Sequence, residues 1–148
     1  MLKIWGRVNS INVQKPLMVL EEIGLPYERI DAGLNFGIND TDAYKAMNPN
    51  GVVPTIVHDS KPVIESSIIN EYIDEVFEGP SLRPDDAHER ARMRVWTKLQ
   101  DDVVHPAIQK PTFNLLIKPI LATMSDGELD EFTGRHPHEA NRNLFRNA

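Results

Sequence analysis

The chain has 148 residues, 41% hydrophobic and 26% charged, and carries a formal net charge of −6 at pH 7. That length fits one ordinary domain or two small ones, and the acidic balance argues against a nucleic-acid partner, which favours a basic stripe. The lack of cysteine excludes disulfides, a cysteine nucleophile and thiolate metal sites. No signal-peptide pattern or long apolar run directs the chain into a membrane, so the expected location is cytoplasmic.

Taken in order, Leu2–Trp5 is a short, mostly apolar run bounded by Gly6 and predicts a buried strand. After a polar loop, Val13, Leu17, Leu20 and Ile23 recur at helical spacing, and Gly24 ends the pattern. Pro16 is tolerated only in a first turn, which predicts that the regular helix begins close to Gln14. Residues 27–31 predict a second short strand, 33–42 a glycine-containing loop, and 41–47 a short helix. Two further apolar segments, 54–58 and 62–65, are joined through Asp59, Ser60 and Lys61 as a hairpin. Ser66 is expected to cap a helix over 66–77, with Ile69, Tyr72, Ile73 and Val76 on its apolar face.

The order β-α-β-(α)-β-β-α suits a mixed four-stranded sheet covered by helices. Beyond the linker 79–86 there is no further strand pattern. Residues 87–104 predict a long helix with an apolar stripe of Ala91, Val95, Leu99 and Val103. Trp5 and Trp96 are expected in core positions. Pro106, Pro111 and Pro119 predict short pieces over 107–124. Ser125 and Glu128 have capping-box spacing and open a helix to about residue 135, which His136 and Pro137 end. A last polar helix is expected over 138–147. His136 and His138 lack a nearby third ligand and are read as surface residues, so no metal is expected.

The stretch 48–73, NPNGVVPTIVHDSKPVIESSIINEYI, resembles the cytosolic glutathione S-transferases. The resemblance extends over the first domain, including GRVNSINV and LEEIGLPYE, and continues through SLRPDDAHERARMRVWTKLQDD. The run from Val63 to Leu99 and the segment KPILATMSDGELDEF are most similar to the bacterial β-aryl etherase branch. It implies a thioredoxin-like α+β domain over 1–78, the linker 79–86, and a partial all-α domain over 87–148. That second part is shorter than the family leads one to expect.

The resemblance also implies a site. The step Val53-Pro54 would be cis, with the Val53 backbone pairing the cysteinyl unit of glutathione like an added strand. Ser66 and the amides opening its helix would hold the γ-glutamyl carboxylate, and Glu65 would accept from the ammonium group. Ser10 comes after strand one where serine-type transferases place the thiol-activating hydroxyl, and Asn12 is its rival; both residue types also favour helix caps. Val52 can offer only backbone where many relatives carry a long polar side chain. Lys45 and Asn39 are candidates for the glycyl carboxylate. Glutathione is thus the implied co-substrate, a small hydrophobic electrophile or aryl ether the second substrate, and a homodimer the implied assembly; the alternative, suggested by the short second part, is a catalytically impaired glutathione-fold binding or interaction module.

Overall fold

The computed structural model describes residues 1–134. The chain divides into two compact units, the first running from Met1 to Pro84 and the second beginning at Asp85. The first unit holds a four-stranded mixed sheet of order β2-β1-β3-β4, built from β1 (Leu2–Trp5), β2 (Tyr27–Ile30), β3 (Thr55–His58) and β4 (Lys61–Ile64). β1 pairs parallel with β2 and antiparallel with β3, which pairs antiparallel with β4. The parallel pair requires a crossover, supplied by α1 (Ile11–Ile23). Leu2, Ile4 and Ile56 from the sheet, Leu20 from α1, and Ile69 and Ile73 from α3 (Ser66–Val76) form the core. The alternation of Leu2 and Ile4 with Lys3 and Trp5 is the period-two signature of a strand buried on one face. Trp5 itself is only half-buried, at the outward position of that alternation.

α1 begins at Ile11, three residues before the position expected from proline chemistry. Pro16 lies inside it, fully buried, and removes the amide that would otherwise bond to the Asn12 carbonyl. The turns before Pro16 survive because Val13 and Gln14 both donate to the Ser10 carbonyl, at 3.0 and 2.9 Å. At the other end Gly24 adopts φ 73°, and Leu25 N–H reaches the Leu20 carbonyl at 3.0 Å, a Schellman closure.

The loop after β2 contains two single turns of 3-10 helix, Leu34–Phe36 and Ile38–Asp40. α2 (Asp42–Met47) comes next, capped by the Thr41 hydroxyl accepting from Tyr44 N–H at 3.3 Å. In the hairpin, His58 pairs with Lys61, so only Asp59 and Ser60 form the turn; both have positive φ, as a two-residue hairpin of the favoured hand demands. Lys61 belongs to β4 rather than to the connection.

The second unit departs most from the sequence expectation. The prolines do not break 107–124 into separate pieces. α4 (Ala87–Leu99), α5 (His105–Thr112) and α6 (Lys118–Leu121) succeed one another through two wide π-helical turns, Gln100–Val104 and Phe113–Ile117. A proline ring collides with the carbonyl four residues earlier in a regular helix. For Pro106 and Pro119 those carbonyls belong to Asp102 and Leu115, each inside a π turn where bonds run to the fifth residue instead. His105 N–H reaches the Gln100 carbonyl and Lys118 N–H the Phe113 carbonyl in this way.

α7 (Asp126–Gly134) opens with the expected capping box. Ser125 N–H donates to the Glu128 carboxylate at 2.8 Å, and Glu128 N–H returns to the Ser125 hydroxyl at 3.4 Å. The bonds from Ser125 hold the Glu128 carboxyl below its usual pKa. The expected helix end at His136-Pro137 and the last helix over 138–147 lie outside the described residues. Trp96 is not a core residue: it is 67% exposed, and no residue of α4 is buried.

Candidate functional site

The strand register gathers the candidate residues at one end of the sheet. Trp5, the last residue of β1, stands opposite both Ile30, the last of β2, and Thr55, the first of β3. Thr55 in turn stands opposite Ile64, the last of β4. The segments leaving β1 and β4 and the segment entering β3 therefore meet at one pole. They are the loop to Ser10, Glu65 with Ser66, and the Val53-Pro54 step. Ser10, Asn12, Val53, Pro54, Glu65 and Ser66 are brought together by topology although they span more than fifty positions of the chain.

Ser10 occupies the N-cap position of α1 with extended φ and ψ, yet its side chain makes no cap hydrogen bond. It is 7% exposed, and among the described residues its hydroxyl has no partner. Asn12, half-buried, sits at the second residue of the helix, likewise without a side-chain partner among the described residues. The N-terminus of α1 thus carries two polar side chains that do not serve its own amides.

The peptide bond between Val53 and Pro54 is cis. Among the described residues neither the amide nor the carbonyl of Val53 takes a backbone partner. The preceding carbonyl is differently placed. Val52 C=O accepts from Tyr44 Oη at 2.7 Å and from Asn48 Nδ2 at 2.9 Å, so it is anchored internally. The single Tyr44 proton goes to Val52, so the 2.7 Å contact between Tyr44 Oη and Thr55 Oγ1 has Thr55 as donor. Thr55 Oγ1 then accepts from Asn48 Nδ2 at 2.9 Å. Burial raises the Tyr44 phenol pKa, with the Thr55 and Asn48 bonds opposing. This buried network fixes the approach to Val53 from below.

Ser66 is the first residue of α3, not its cap; Glu65 is the capping residue and takes φ 70°, ψ 116°. The sequence expectation placed the cap one residue too late, because serine favours caps and glutamate does not. At positive φ a side-chain-bearing residue is strained, and the conformation turns Glu65 out to solvent, where Asn50 Nδ2 donates to it at 3.1 Å. The Ser66 hydroxyl accepts from Lys15 Nζ of α1 at 3.3 Å. Neither α1 nor α3 has an acidic residue in its first turn, and the one carboxylate at either helix start is that of the α3 cap, Glu65.

Asn39 cannot serve as a ligand donor. Its Oδ1 accepts from Gly33 N–H at 3.0 Å, and its Nδ2 donates to the Gly51 carbonyl and to Asp40 Oδ1, both at 3.1 Å. Both amide hydrogens are engaged, and the residue is 8% exposed. It ties the loop after β2 to the turn before Val53. Lys45 stands in the last turn of α2, half-buried, with no partner among the described residues.

Two residues at this pole escaped the sequence reading. Lys15 is 51 positions from Ser66, and only the packing of α1 against α3 joins them. Arg7, in the loop after β1, donates to Asn9 Oδ1 at 2.9 Å, while its buried Nε lacks a partner among the described residues and burial pulls its pKa down. Arg7, Val8, Asn9, Asp31, Leu34 and Phe36 line an open groove of about 370 Å³ beside the Ser10 loop. Gly33, next to the lining residue Leu34, has φ 93°, and a Cβ there would stand 3.3 Å from the Val53 side chain.

Comparison with known proteins identifies relatives of the fold. Protein LigF of Sphingobium sp. is 38% identical over 91% of this chain and 53% of its own length. The glutathione S-transferase GstB of Escherichia coli is 44% identical over 65% of this chain and 47% of its own. The chain thus spans about half the length of these curated relatives. Among solved structures, the β-etherase LigF from Sphingobium superposes with TM-score 0.89 at 36% identity, covering 98% of this chain and 61% of that one. A theta class glutathione S-transferase from the citrus canker pathogen Xanthomonas axonopodis, with glutathione bound, gives TM-score 0.72 at 31% identity, covering 97% and 62%. The family model described as glutathione S-transferase, N-terminal domain, matches residues 1–75. By that match, and with the thioredoxin-like sheet and the cis Val53-Pro54 step that accompany it, the chain belongs to the glutathione S-transferase family.

Proposed function

We propose that the protein binds glutathione at the pole of the first unit and activates its thiol for attack on a small hydrophobic electrophile or aryl ether. One observation carries the reading. Three features lie at the same end of one sheet: the Ser10 hydroxyl and the Val53 backbone, both without partners among the described residues, and the N-terminus of α3 with Glu65 and Ser66. That set matches a tripeptide with a thiol in its middle and both charges at its γ-glutamyl end.

The cysteinyl backbone pairs with Val53 N–H and C=O as an added strand. The γ-glutamyl carboxylate accepts from Ser66 and the first amides of α3, and its ammonium group faces Glu65. Lys45 is the remaining candidate for the glycyl carboxylate, Asn39 being engaged internally. A free thiol ionises near ~8.5, so most glutathione is protonated at neutral pH. Ser10 donating to sulfur, beside the positive end of α1, favours the thiolate; Asn12 is the alternative donor. In the ether reaction the sulfur bonds to the carbon bearing the aryloxy group as the C–O bond breaks, and the departing aryloxide takes a proton from solvent. The electrophile's apolar part fits the groove of Val8, Leu34 and Phe36.

The homodimer implied by the resemblance would use the outer face of α3, where Ile68 and Val76 are exposed, together with α4. A cytoplasmic location belongs to the same reading.

Calorimetric titration with glutathione, then conjugation of a chlorodinitrobenzene and cleavage of a β-aryl ether, tests the proposal. Saturable binding with glutathione-dependent product formation in either assay is the expected result. Binding without turnover removes the enzymatic claim and leaves a binding module; absence of binding removes the whole reading.

A further inference from the structure

We infer that Lys15 is a positioning residue of the γ-glutamyl subsite, setting the direction of the Ser66 hydroxyl and adding positive charge where the ligand's α-carboxylate docks. The inference rests on the proposed glutathione site and goes beyond the residues assigned to it. Lys15 Nζ stands 3.3 Å from Ser66 Oγ, reaching from α1 to the first residue of α3. An ammonium group has donors only, so Ser66 must be the acceptor in this contact. A hydroxyl that accepts from one side keeps its own proton for another acceptor. With Lys15 occupying a lone pair of Ser66, that proton is left for a carboxylate at the end of the helix.

The charge acts in the same sense. Lys15 and Ser66 are both largely shielded from solvent, Lys15 half-buried and Ser66 buried. A carboxylate entering there meets the amides of α3, its dipole end and an ammonium within one hydrogen bond of the hydroxyl that holds it. Neither helix has an acidic residue in its first turn. Glu65 supplies a negative charge at the capping position, and it is turned out to solvent, toward the side where an ammonium would sit.

The test is a cycle between the side chain and the ligand carboxylate. The full chain, as wild type, Lys15→Met and Lys15→Arg, is titrated calorimetrically with glutathione and with the analogue whose γ-glutamyl α-carboxylate is a neutral carboxamide. The wild type is expected to prefer glutathione on the order of ten-fold, the worth of a charge-assisted hydrogen bond. Lys15→Met should lose most of that preference by weakening glutathione alone, and Lys15→Arg should keep it. Equal weakening of both ligands in Lys15→Met, or an unchanged preference, overturns the inference while leaving glutathione binding intact. If Lys15→Met does not fold, Lys15→Gln takes its place with the same expectation. A wild type that binds neither ligand overturns the proposed glutathione site and this inference with it.

Discussion

The side-chain amide of Asn39 donates to the carbonyl of Gly51 at 3.1 Å, joining the loop after β2 to the turn that delivers Val53. Its carbonyl holds Gly33 N–H at 3.0 Å on the other side. Gly33 in turn lies against Val53, close enough that a Cβ would crowd the valine. Asn39 is therefore a strut under the turn that delivers Val53, with both ends of its side-chain amide engaged internally. Replacing it with alanine leaves the Gly33 amide without its partner, which costs about 1–3 kcal/mol. Asn39→Ala should lower the urea midpoint and weaken glutathione binding together. A variant with unchanged stability and lost affinity would restore Asn39 as a direct ligand.

Ser10 gives the opposite pattern. Serine-to-alanine changes at helix N-caps usually cost about 1 kcal/mol because a cap hydrogen bond is lost. Ser10 makes no such bond. Ser10→Ala should therefore leave the melting temperature nearly unchanged while raising the pKa of the bound thiol and cutting turnover far more than glutathione affinity. The thiolate absorbance of the binary complex, measured against pH, reads this directly. If Ser10→Ala keeps its activity and Asn12→Ala loses it, the activating donor is Asn12.

Much of the first unit was legible because its signals are local. Alternation marks β1, three- and four-residue spacing marks α1 and α3, and Gly24 marks a stop that the Schellman closure explains. The segment containing Val53, Pro54, Glu65 and Ser66 could be read as a candidate site because its parts succeed one another at short intervals, and the cis step expected there is present. Lys15 was not, since its meaning depends on a partner 51 residues away across a helix crossing. Asn39 misled for a related reason: a polar residue in a polar loop reads as available until its three internal bonds are seen. Pro106 and Pro119 misled because a widened turn removes the carbonyl clash on which proline's helix-breaking rests; Pro111 sits inside α5 without such a turn. The exposed apolar residues of α4, Val95 and Leu99 among them, belong to a sequence stripe whose burial a local pattern cannot guarantee.

Tyr44 makes the stability of the first unit pH-dependent at the alkaline end. Burial raises its phenol pKa above the ordinary value, so the folded state holds the proton to higher pH than the unfolded chain does. A raised folded pKa gives a contribution that is complete below the unfolded value, about 10, and lost as pH rises through the folded value. Ionisation also ends the donation from Tyr44 Oη to Val52 that helps hold the Val53 turn. Tyr44→Phe should remove most of this alkaline slope and lower stability at neutral pH by about 1–3 kcal/mol, through the Thr55 hydroxyl and Val52 carbonyl that each lose a partner. Urea unfolding of wild type and variant between neutral and strongly alkaline pH checks it. Parallel slopes would assign the alkaline loss elsewhere, with Tyr27, whose pKa is also raised by burial, the next residue to test.

Glu65 combines backbone strain with the proposed contact to the ligand's ammonium group. At φ 70° it occupies a region that a side chain disfavours, a strain of about 1–3 kcal/mol. Glycine enters that region freely but adds entropy to the unfolded chain, which offsets part of the relief. The carboxylate contributes to the fold through an exposed bond from Asn50, worth little at the surface. Glu65→Gly should therefore fold with equal or greater stability while losing affinity for glutathione. Glu65→Gln keeps the strain but removes the charge proposed to face the ligand's ammonium, so its stability should match wild type while its affinity falls. Measured side by side, the pair separates backbone from charge. If both variants bind glutathione as wild type does, the strained residue serves only to turn the chain into α3, and the ammonium must find its partner elsewhere.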